Sequence, residues 1–411
     1  MSFFGIPLSG LVASQAQLQS VSNNLANLDT VGYKDQTVSF SDIFAQSSAL
    51  NGADNALQTG LGVSVAETSS DFTEGSPSST GVASNMAITG NGFFVTQDSS
   101  GSISYTRAGD FTANSAGELT SSSGALVLGY PAVNGVISTA SPLQPIQIGS
   151  GAVSPAQATT SFQLSTNLQS SAAVGSTYAS TSPVYDSLGT SHVLTVDYTK
   201  TGANTWSYSV NMPTADTGAA SSELASGTMT FDSSGTLTSP TGSVAIAVPT
   251  LADGASSLNL TWNLNDTTGN PSITQTDVAS TNNSTTQDGR ASGTLSSYAI
   301  TSDGTIEGTF SNQSTVALGQ VALASFTNEQ GLVRTGNNEY QSSASSGTAV
   351  IGQADTGSRG TITGGSVESS NVDVAAEFAK MIVAQQAYQA NAKTVTTLNE
   401  VSQATLQMLS S

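Results

Sequence analysis

Both ends of the 411-residue chain carry apolar residues at the spacing of an α-helix. Residues 7–28 repeat them at intervals of four and three, which predicts a helix with one narrow apolar strip. Residues 371–409 show the same spacing without a Pro or Gly, and predict a second helix about 58 Å long. The strip of the second helix comprises Val374, Phe378, Met381, Gln385, Tyr388, Ala392, Val395, Asn399, Ser402, Leu406 and Leu409.

The starts of both helices carry capping signals. Pro7 suits the first turn of the N-terminal helix, where its missing N–H costs no hydrogen bond. Ser370 and Asp373 have the spacing of a capping box, and Glu377 adds negative charge at the positive end of the helix dipole. We therefore expect the second helix to begin directly after Ser370.

Between residues 60 and 365 the pattern changes to alternation with a period of two, which is typical of strands with one buried face. Segments that contain Gly, Asn and Asp separate the alternating runs and predict turns. The clearest hairpin has its turn at 201–205. Its apolar face and that of a later strand predict a core of Leu194, Val196, Trp206, Tyr208, Leu260 and Trp262.

The order helix, β region, helix predicts an α+β fold that is predominantly β. Nested, discontinuous β domains of the sandwich or barrel type are expected between N- and C-terminal coiled-coil helices, and the innermost domain is entered and left once. The predicted blocks are a helical assembly domain at 1–30 and 365–411, an extended connecting segment at 31–70 and 355–364, an inner β domain at 71–145 and 285–354, and an inserted outer β domain at 146–284.

The apolar strips of the end helices have no bundle within the chain to cover them. The two helices can pair with each other, but the N-terminal one is shorter, and long helices with a single strip usually find partners in other subunits. The pattern therefore predicts assembly through the terminal helices. The predicted subunit interface comprises Leu8, Leu11, Leu18, Leu25, Phe378, Met381, Tyr388, Ala392, Val395, Leu406 and Leu409.

Composition excludes several functions. The chain has 28 acidic and 8 basic residues and a net charge of −20, so it cannot neutralise many phosphates and nucleic-acid binding is not expected. It has no Cys and one His, and we therefore expect no metal and no cofactor. No apolar run reaches the roughly 18 residues of a membrane span. The first cation is Lys34, which predicts no cleavable signal peptide and no membrane insertion.

His192 is the one candidate for histidine-dependent catalysis. A hydrolase would need it to meet Ser191 and Asp197 in space, but neighbouring strand residues point to opposite faces. We therefore expect no catalytic residues, and a surface histidine at a strand edge. The DSSG segments at 98–101 and 232–235 resemble fragments of calcium loops but lie between strands, where hairpin turns are expected.

Four segments resemble the axial proteins of the bacterial flagellum, the rod and hook family. SGLVASQAQLQSVSNNLANLDTVGYK (9–34) is similar to the N-terminal signature of that family, and SNVDVAAEFAKMIVAQQAYQANAKTVTT (370–397) to its C-terminal partner. ITGNGFFV (88–95) and YTRAGDF (105–111) resemble the shared β domain. The positions that match the terminal motifs are Asn23, Asn24, Asn27, Gly32, Tyr33, Asn371, Gln385 and Asn391.

Within the family, the middle of the chain indicates the hook branch. VYDSLGTSHVLTVDYTKTGANTWSYSV (184–210) resembles the outer domain of hook subunits, and GNNEYQSSASSGTAVIG (336–352) also resembles the hook pattern. Rod subunits are shorter and generally lack so large an insert. The chain departs from the family at Gln386, where a basic residue is often found.

The resemblance implies a structural subunit, not an enzyme, that polymerises with its own copies into a flexible tube and transmits torque from motor and rod to filament. It implies passage through the flagellar export apparatus, a location in the extracellular hook, and contacts with the distal rod, the hook cap and hook–filament junction proteins. Two alternatives stay open: a distal rod subunit, and a secreted β-rich adhesin or carbohydrate-binding protein that uses Trp206 and Trp262.

Overall fold

A computed structural model of the chain describes residues 4–44, 50–51, 55–56, 60–149 and 152–409. The helices in these residues are α1 (Gly5–Ala26), the short α2 (Thr214–Thr217) and α3 (Val374–Leu409), with a 3-10 turn at Glu329–Gly331. Strands make up the remaining regular structure of the described residues. This confirms the predicted α+β, predominantly β fold with a helix at each end.

The strands are short and numerous, as the recurrent turn signals predict. The first are β1 (Gln36–Phe44), β2 (Leu50–Asn51), β3 (Asn55–Ala56), β4 (Gly60–Ser70), β5 (Pro77–Ser79), β6 (Met86–Thr89), β7 (Phe93–Gln97), β8 (Ile103–Thr106), β9 (Thr112–Ala113), β10 (Leu119–Thr120), β11 (Leu126–Val133), β12 (Val136–Ile137), β13 (Gln144–Pro145) and β14 (Val153–Ser154). The next are β15 (Ser161–Gln169), β16 (Thr177–Tyr185), β17 (Ser191–Gly202), β18 (Thr205–Asn211), β19 (Glu223–Phe231), β20 (Leu237–Ser239), β21 (Ser243–Val248), β22 (Leu258–Asn263), β23 (Ile273–Thr276) and β24 (Thr281–Gln287). The last are β25 (Gly293–Ile300), β26 (Thr305–Phe310), β27 (Thr315–Ser325), β28 (Val333–Gly336), β29 (Glu339–Gln341), β30 (Val350–Gln353), β31 (Thr361–Gly364) and β32 (Ser366–Glu368).

The chain divides into two units. The first unit comprises 1–150, 298–308 and 317–411, and the second comprises 151–297 and 309–316. The chain thus enters the second unit twice, and the expected single entry is wrong. The turn after β26 belongs to this unit because Ser311 N donates to Thr294 O over 2.8 Å and Asn312 Nδ2 donates to Ala291 O over 2.8 Å. The residue types of so short a turn between two strands do not indicate which unit the turn joins.

The second unit contains two five-stranded sheets. One has the order β21-β22-β15-β23, with β24 also on β15, and the other has the order β16-β17-β18-β19-β20. Alternate side chains of both sheets meet in one hydrophobic core, as in a β-sandwich. The six predicted core residues are confirmed, each at most 8% exposed: Leu194, Val196, Trp206, Tyr208, Leu260 and Trp262.

β17 and β18 form the predicted hairpin. They are antiparallel, and Val196 lies opposite Val210 as Tyr198 lies opposite Tyr208. Every second residue is buried along most of both strands. The alternation in the sequence therefore predicted both the pairing and the buried face, because the side-chain period of a strand is two.

The first unit is built on a sheet with the central order β27-β11-β7-β8-β29-β28. Its core joins residues from both parts of the chain, since Phe93 and Tyr105 meet Ala324 and Tyr340. The Phe93 and Tyr340 rings pack edge to face with centroids 5.9 Å apart. Strands from before residue 150 and from after residue 317 therefore complete one sheet.

The helix limits differ slightly from the predicted ones. α1 begins at Gly5, so Pro7 lies within its first turn. α3 begins at Val374 because Asp373 is its cap, with Oδ1 accepting hydrogen bonds from the backbone N of Ala375 and Ala376 at 2.8 and 3.2 Å. The role assigned to Ser370 therefore belongs to Asp373, and the capping-box spacing was misleading because Asp is itself a strong cap.

The DSSG segments form hairpin turns, as predicted. Asp98 Oδ1 accepts hydrogen bonds from the backbone N of Ser100 and Ser102 at 2.8 and 2.9 Å, between β7 and β8. Asp232 makes the equivalent bonds between β19 and β20. Hydrogen bonds from the neighbouring serine hydroxyl and from the turn backbone hold the pKa of both carboxyls below the usual value.

These turns predict a contribution to acid sensitivity. A carboxyl whose folded-state pKa is lowered stabilises the fold above its unfolded pKa of about 4, and that contribution is lost as the pH falls through the folded pKa. We expect Asp98→Asn/Asp232→Asn to flatten the fall of the melting temperature between about pH 5 and pH 2. The control, Asp29→Asn/Asp277→Asn, changes two exposed carboxyls and should keep the wild-type slope. Equal slopes for all three proteins would contradict the prediction.

The second prediction concerns the contribution of the sandwich core to stability. Leu194 is fully buried and Leu188 is 62% exposed, so the same substitution can be made inside and outside the core. We expect Leu194→Ala to lower the free energy of unfolding by about 2–5 kcal/mol, from lost burial and the cavity left behind. Leu188→Ala should change it by less than about 0.5 kcal/mol. Urea unfolding followed by near-UV circular dichroism measures both, and a similar loss in the two variants would count against this core.

Candidate functional site at the junction of the terminal helices

α1 and α3 pack against each other in antiparallel orientation. Gly10 faces Asn391, and Asn24 faces Glu377, so the two contacts are fourteen residues apart on each helix. A Cβ at Gly10 would lie 2.7 Å from Asn391 Nδ2, so a larger residue there would require the Asn391 side chain to move. These two contacts define how the two helices are aligned in the structure.

The face that α1 buries carries small and polar side chains rather than the predicted apolar strip. It comprises Pro7, Ala13, Ser14, Ser20, Val21 and Asn24. The hairpin β1–β4 contributes to its cover: Ser20 Oγ donates to Gln36 O over 2.7 Å, and Ser9 Oγ accepts from Val63 N over 3.2 Å. The expectation that α1 lacks cover within the chain is thus wrong, because small side chains allow close packing without an apolar strip.

Asn24 connects α1 to α3 and to the start of β1. Its Oδ1 accepts hydrogen bonds from Gln36 N at 3.0 Å and Tyr33 Oη at 3.1 Å. Its Nδ2 donates to Gln36 O at 3.0 Å and Glu377 Oε2 at 3.1 Å, and also contacts the Asp35 carboxylate. The amide is fully buried and uses its whole hydrogen-bonding capacity. An apolar replacement would leave several buried groups without partners.

Glu377 and Asp35 share one cation at this point. Glu377 is 1% exposed and accepts a hydrogen bond from Lys380 Nζ at 2.5 Å, while Lys380 Nζ lies 3.6 Å from Asp35 Oδ2. The hydrogen bond to Glu377 raises the pKa of Lys380. Burial raises the pKa of Asp35, and the Lys380 charge opposes that shift. The ammonium thereby compensates carboxylates from both ends of the chain.

Asn371 ties the segment before α3 to the N-terminal part of the chain. Its Oδ1 accepts from Asp35 N at 2.7 Å, and its Nδ2 donates to Asp71 O at 2.9 Å and Thr73 O at 3.1 Å. A single side chain therefore joins three stretches of backbone.

Gly32 and Tyr33 need their residue types for different reasons. Gly32 has φ +66°, and a Cβ would lie 2.5 Å from Ala108 N, so only glycine fits. The Tyr33 ring lies 5.3 Å from the Arg334 guanidinium, a cation–π distance. Burial raises the pKa of the Tyr33 hydroxyl, which remains a neutral donor to Asn24.

A second group of buried charges lies next to the junction. Glu368 Oε1 accepts hydrogen bonds from Lys34 Nζ at 2.6 Å and Gly75 N at 2.9 Å, and its Oε2 lies 3.4 Å from Arg107 Nη1. Lys34 Nζ also donates to Thr73 O at 2.6 Å. Burial lowers the pKa of Lys34, against the opposing effect of the Glu368 carboxylate. One carboxylate thus balances two buried cations, one from the segment after α1 and one from the turn after β8.

Most of the predicted motif positions meet here. Five belong to the junction: Asn23, Asn24, Gly32, Tyr33 and Asn371. Asn27 donates to Asn23 O over 2.9 Å, Asn391 lies at the helix contact, and Gln385 is exposed. Sequence reasoning missed the charged members Lys34, Asp35, Arg107, Glu368, Glu377 and Lys380. A signal was present, since three of only 8 basic residues lie within or beside the terminal motifs.

The predicted interface residues lie elsewhere on the helices. Leu8, Phe378, Tyr388 and Leu406 are exposed. Half-buried side chains are those of Leu11, Leu18, Leu25, Met381, Ala392 and Val395, and the side chain of Leu409 lies outside the described residues. Their burial between subunits stays a prediction. Among the described helices, none combines the length and apolar character of a membrane span.

The structure disfavours a sugar site at the tryptophans. Trp206 and Trp262 are at most 1% exposed, and Trp206 Nε1 donates to Gln275 Oε1 over 3.1 Å. Neither ring presents a face on which a sugar could stack. The carbohydrate-binding alternative therefore loses the residues on which it depended.

The hydrolase triad is not assembled. Ser191 is exposed, and Asp197 accepts a hydrogen bond from Asn211 over 2.9 Å. His192 is 4% exposed, so the expected surface histidine is wrong. Its ring nitrogens lie 3.3 Å from carboxylate oxygens of Asp186 and Asp216, which the turn before β17 and the helix α2 place over the strand end.

Four family models match the chain in order. They are the flagella basal body rod protein model at 7–34, the flagellar hook protein FlgE/F/G D1 domain at 87–167, the flagellar basal body protein FlaE D2 domain at 175–290, and the flagellar basal body rod FlgEFG protein C-terminal model at 363–408.

Full-length relatives decide between the branches of the family. The flagellar hook protein FlgE of Escherichia coli K12 is 36% identical over 97% of this chain and 98% of the relative. The proteins of the same name from Borreliella burgdorferi and Rhizobium meliloti are each 31% identical, over 96% and 98% of this chain and 97% and 98% of the relatives. The chain belongs to the flagellar hook protein family. The hook name of these full-length relatives disfavours the rod alternative.

A solved structure supports the fold of this hook family member. The crystal structure of Helicobacter pylori flagellar hook protein FlgE2 aligns with a TM-score of 0.50 at 15% sequence identity, covering 69% of this chain and 98% of that one. The fold is shared although few residues are identical.

The buried charge group predicts a large loss of stability on mutation. Glu368→Gln leaves Lys34 and Arg107 buried without their carboxylate, and we expect the free energy of unfolding to fall by about 3–5 kcal/mol. Glu67→Gln, on the exposed side of β4, should change it by less than about 0.5 kcal/mol. Urea unfolding of the full chain measures both. Equal stability of the two variants would show that the cations find other partners.

Proposed function

We propose that this chain is a structural subunit of the bacterial flagellar hook that polymerises into a flexible helical tube and transmits torque from motor and rod to filament. Family membership supports the hook. The observation that supports polymerisation is the exposed apolar surface of α3, which continues past the first residue of α1.

The overhang of α3 follows from the helix lengths and their alignment. α3 has 36 residues and α1 has 22. Because Gly10 faces Asn391 in an antiparallel pair, the first residue of α1 lies near the level of residue 396. Residues 397–409, the overhang, therefore extend about 20 Å past α1. This length of helix lies past the first residue of α1 as the structure describes it.

Exposed apolar side chains follow α3 along its length. Leu406 on the overhang is 64% exposed and Phe378 near the start of the helix is 52% exposed. Others are Ile382, Val383, Tyr388 and Val401 on α3, and Ile6, Leu8 and Val12 on α1. Single exposed apolar residues are common, but this many on one helix, spread over more than one of its sides, are typical of an interaction surface.

A second copy of the chain is the occupant that we propose. Each copy presents an overhang at the C-terminal end of α3 and exposed apolar residues at the start of α1. A contact between two different surfaces of identical chains repeats from copy to copy, and gives an open helical polymer when the rotation does not close a ring. The apolar strips would then be buried between helices as in a coiled coil.

The composition suits a polymer that must bend. Bending requires each protofilament to shorten and lengthen once per revolution. Only 9% of residues are charged, so contacts between β units would rest on uncharged polar groups that exchange partners at little energetic cost. The sandwich core of the second unit would stay rigid during this exchange.

The proposal includes the remaining expectations for a hook subunit. The chain would be a structural protein and not an enzyme, pass unfolded through the flagellar export apparatus, and reside in the extracellular hook. Its further partners would be the distal rod, the hook cap and hook–filament junction proteins. The proposed function involves neither nucleic-acid binding nor membrane insertion.

A charged residue placed on the exposed apolar surface of α3 tests the proposed polymerisation. We expect Phe378→Asp and Leu406→Asp to abolish tube formation, because each would bury an unpaired carboxylate at every subunit contact. Their melting temperatures should stay within about 2 °C of the wild type, since both side chains are exposed in the single chain. Sedimentation and electron microscopy after salting out measure assembly.

The matched control is Leu188→Asp, which changes an equally exposed leucine in a turn of the second unit. It should assemble as the wild type does. Normal tubes from both helix variants would contradict the proposed interface, and loss of the β signal in circular dichroism would show that these side chains support the fold instead.

A further inference from the structure

We propose that the second unit contains a binding site for a divalent transition-metal ion, formed by His192, Asp186 and Asp253 and oriented by Asp216. Asp186 lies in the turn before β17, and His192 is the second residue of that strand. Asp253 lies between β21 and β22, and Asp216 lies on α2. The fold therefore brings together residues that are far apart in sequence.

Three ligand atoms converge in this cluster. His192 Nε2 lies 3.3 Å from Asp186 Oδ2 and 3.9 Å from Asp253 Oδ2, and all three atoms lie within 4.8 Å of one another. Asp186 is fully buried and His192 is 4% exposed, whereas the Asp253 side chain is 29% exposed. Two ligands are thus held inside the protein, and the third lies towards solvent.

The imidazole has more acceptors around it than it can satisfy. Its Nδ1 lies 3.3 Å from Asp216 Oδ2, and its Nε2 lies at hydrogen-bond distance, 3.3 Å, from Asp186 Oδ2. When the ring proton is on Nδ1, the Nε2 lone pair faces carboxylate oxygens of Asp186 and Asp253, 3.3 and 3.9 Å away. The other oxygen of Asp186 already accepts from Leu188 N and Thr190 N, both over 2.8 Å. A metal ion between Nε2 and the two carboxylates would satisfy these groups together, as an alternative to a proton on Nε2.

The spacing suits a small tetrahedral ion better than a proton. A proton on Nε2 can make a good hydrogen bond to one carboxylate, but a metal ion binds all three atoms at once. With metal–ligand distances of about 2.0–2.1 Å, the corners of a tetrahedron lie about 3.3 Å apart. His192 Nε2 and Asp186 Oδ2 have this separation, and the exposed Asp253 carboxylate, 3.9 Å from Nε2, would move inward to bind the ion. Water on the solvent side can supply the fourth ligand.

The donor set selects the class of metal. One imidazole nitrogen with two carboxylate oxygens suits Zn²⁺ and neighbouring ions of the first transition row. Ca²⁺ requires six to eight oxygen ligands, which this cluster does not provide. Asp216 would hold the ring in the ligating tautomer, as carboxylates behind metal-bound histidines do.

The surrounding backbone is already fixed. Asp216 O accepts a hydrogen bond from Ala252 N over 2.7 Å, and Ser187 Oγ accepts one from Ser256 N over 3.1 Å. The segments that carry the ligands are thus tied together within the sandwich. A bound ion would clamp them further and stabilise the folded unit.

Zinc titration of the full-length, EDTA-treated monomer tests the site. Calorimetry with ZnCl₂ should give one site per chain, and a zinc excess of about a hundredfold over the dissociation constant should raise the melting temperature by roughly 5 °C or more. His192→Gln should abolish this binding, and Asp216→Asn should weaken it about 10–100-fold. Asp232→Asn, an exposed turn carboxyl in the same unit, should bind as the wild type does.

NMR of the wild-type protein tests the metal site without requiring that a variant fold correctly. The chain has a single histidine, so its ring gives one set of nitrogen signals. We expect one equivalent of Zn²⁺ to shift the Nε2 signal while Nδ1 stays protonated. A ring that is doubly protonated at neutral pH and unchanged by ten equivalents of Zn²⁺ would overturn the proposal in favour of a histidinium, as would unaltered zinc affinity in His192→Gln.

Discussion

The first unit depends on buried charges whose partners lie far away in the sequence. Lys34 and Glu368 are 334 residues apart in sequence, yet their side chains meet at 2.6 Å and both are almost fully buried. Arg107 relies on the same carboxylate. An ion pair of this kind adds less to stability than to specificity, since misaligned partners would leave a buried charge uncompensated. The Lys34–Glu368 pair therefore favours one pairing of the segment after α1 with the segment before α3.

The helices separate two kinds of contact. Towards the chain itself they present Gly10, small side chains and the amide of Asn24, whose hydrogen bonds have fixed directions. Away from it they present apolar side chains such as Phe378 and Leu406, which can pack in more than one geometry. A subunit that must keep its own shape while its neighbours shift needs directional contacts within the chain and adaptable contacts outside it.

Local patterns in the sequence predicted the fold better than the site. The alternation through Leu194 and Val196 identified the sandwich core because burial on one sheet face has a period of two residues. No such period marks the buried face of α1, where Ala13 and Ser14 are too small to stand out. The burial of His192 was also unpredictable, since it depends on turns that are distant in sequence.

The position of Glu368 near the C-terminus has a consequence for the order of folding. On a ribosome the first unit cannot balance Lys34 until more than three hundred further residues have been made, and α3 still follows. The continuous block 151–297 of the second unit meets no such delay. A nascent chain can thus complete the continuous block of the second unit before the two parts of the first unit come together.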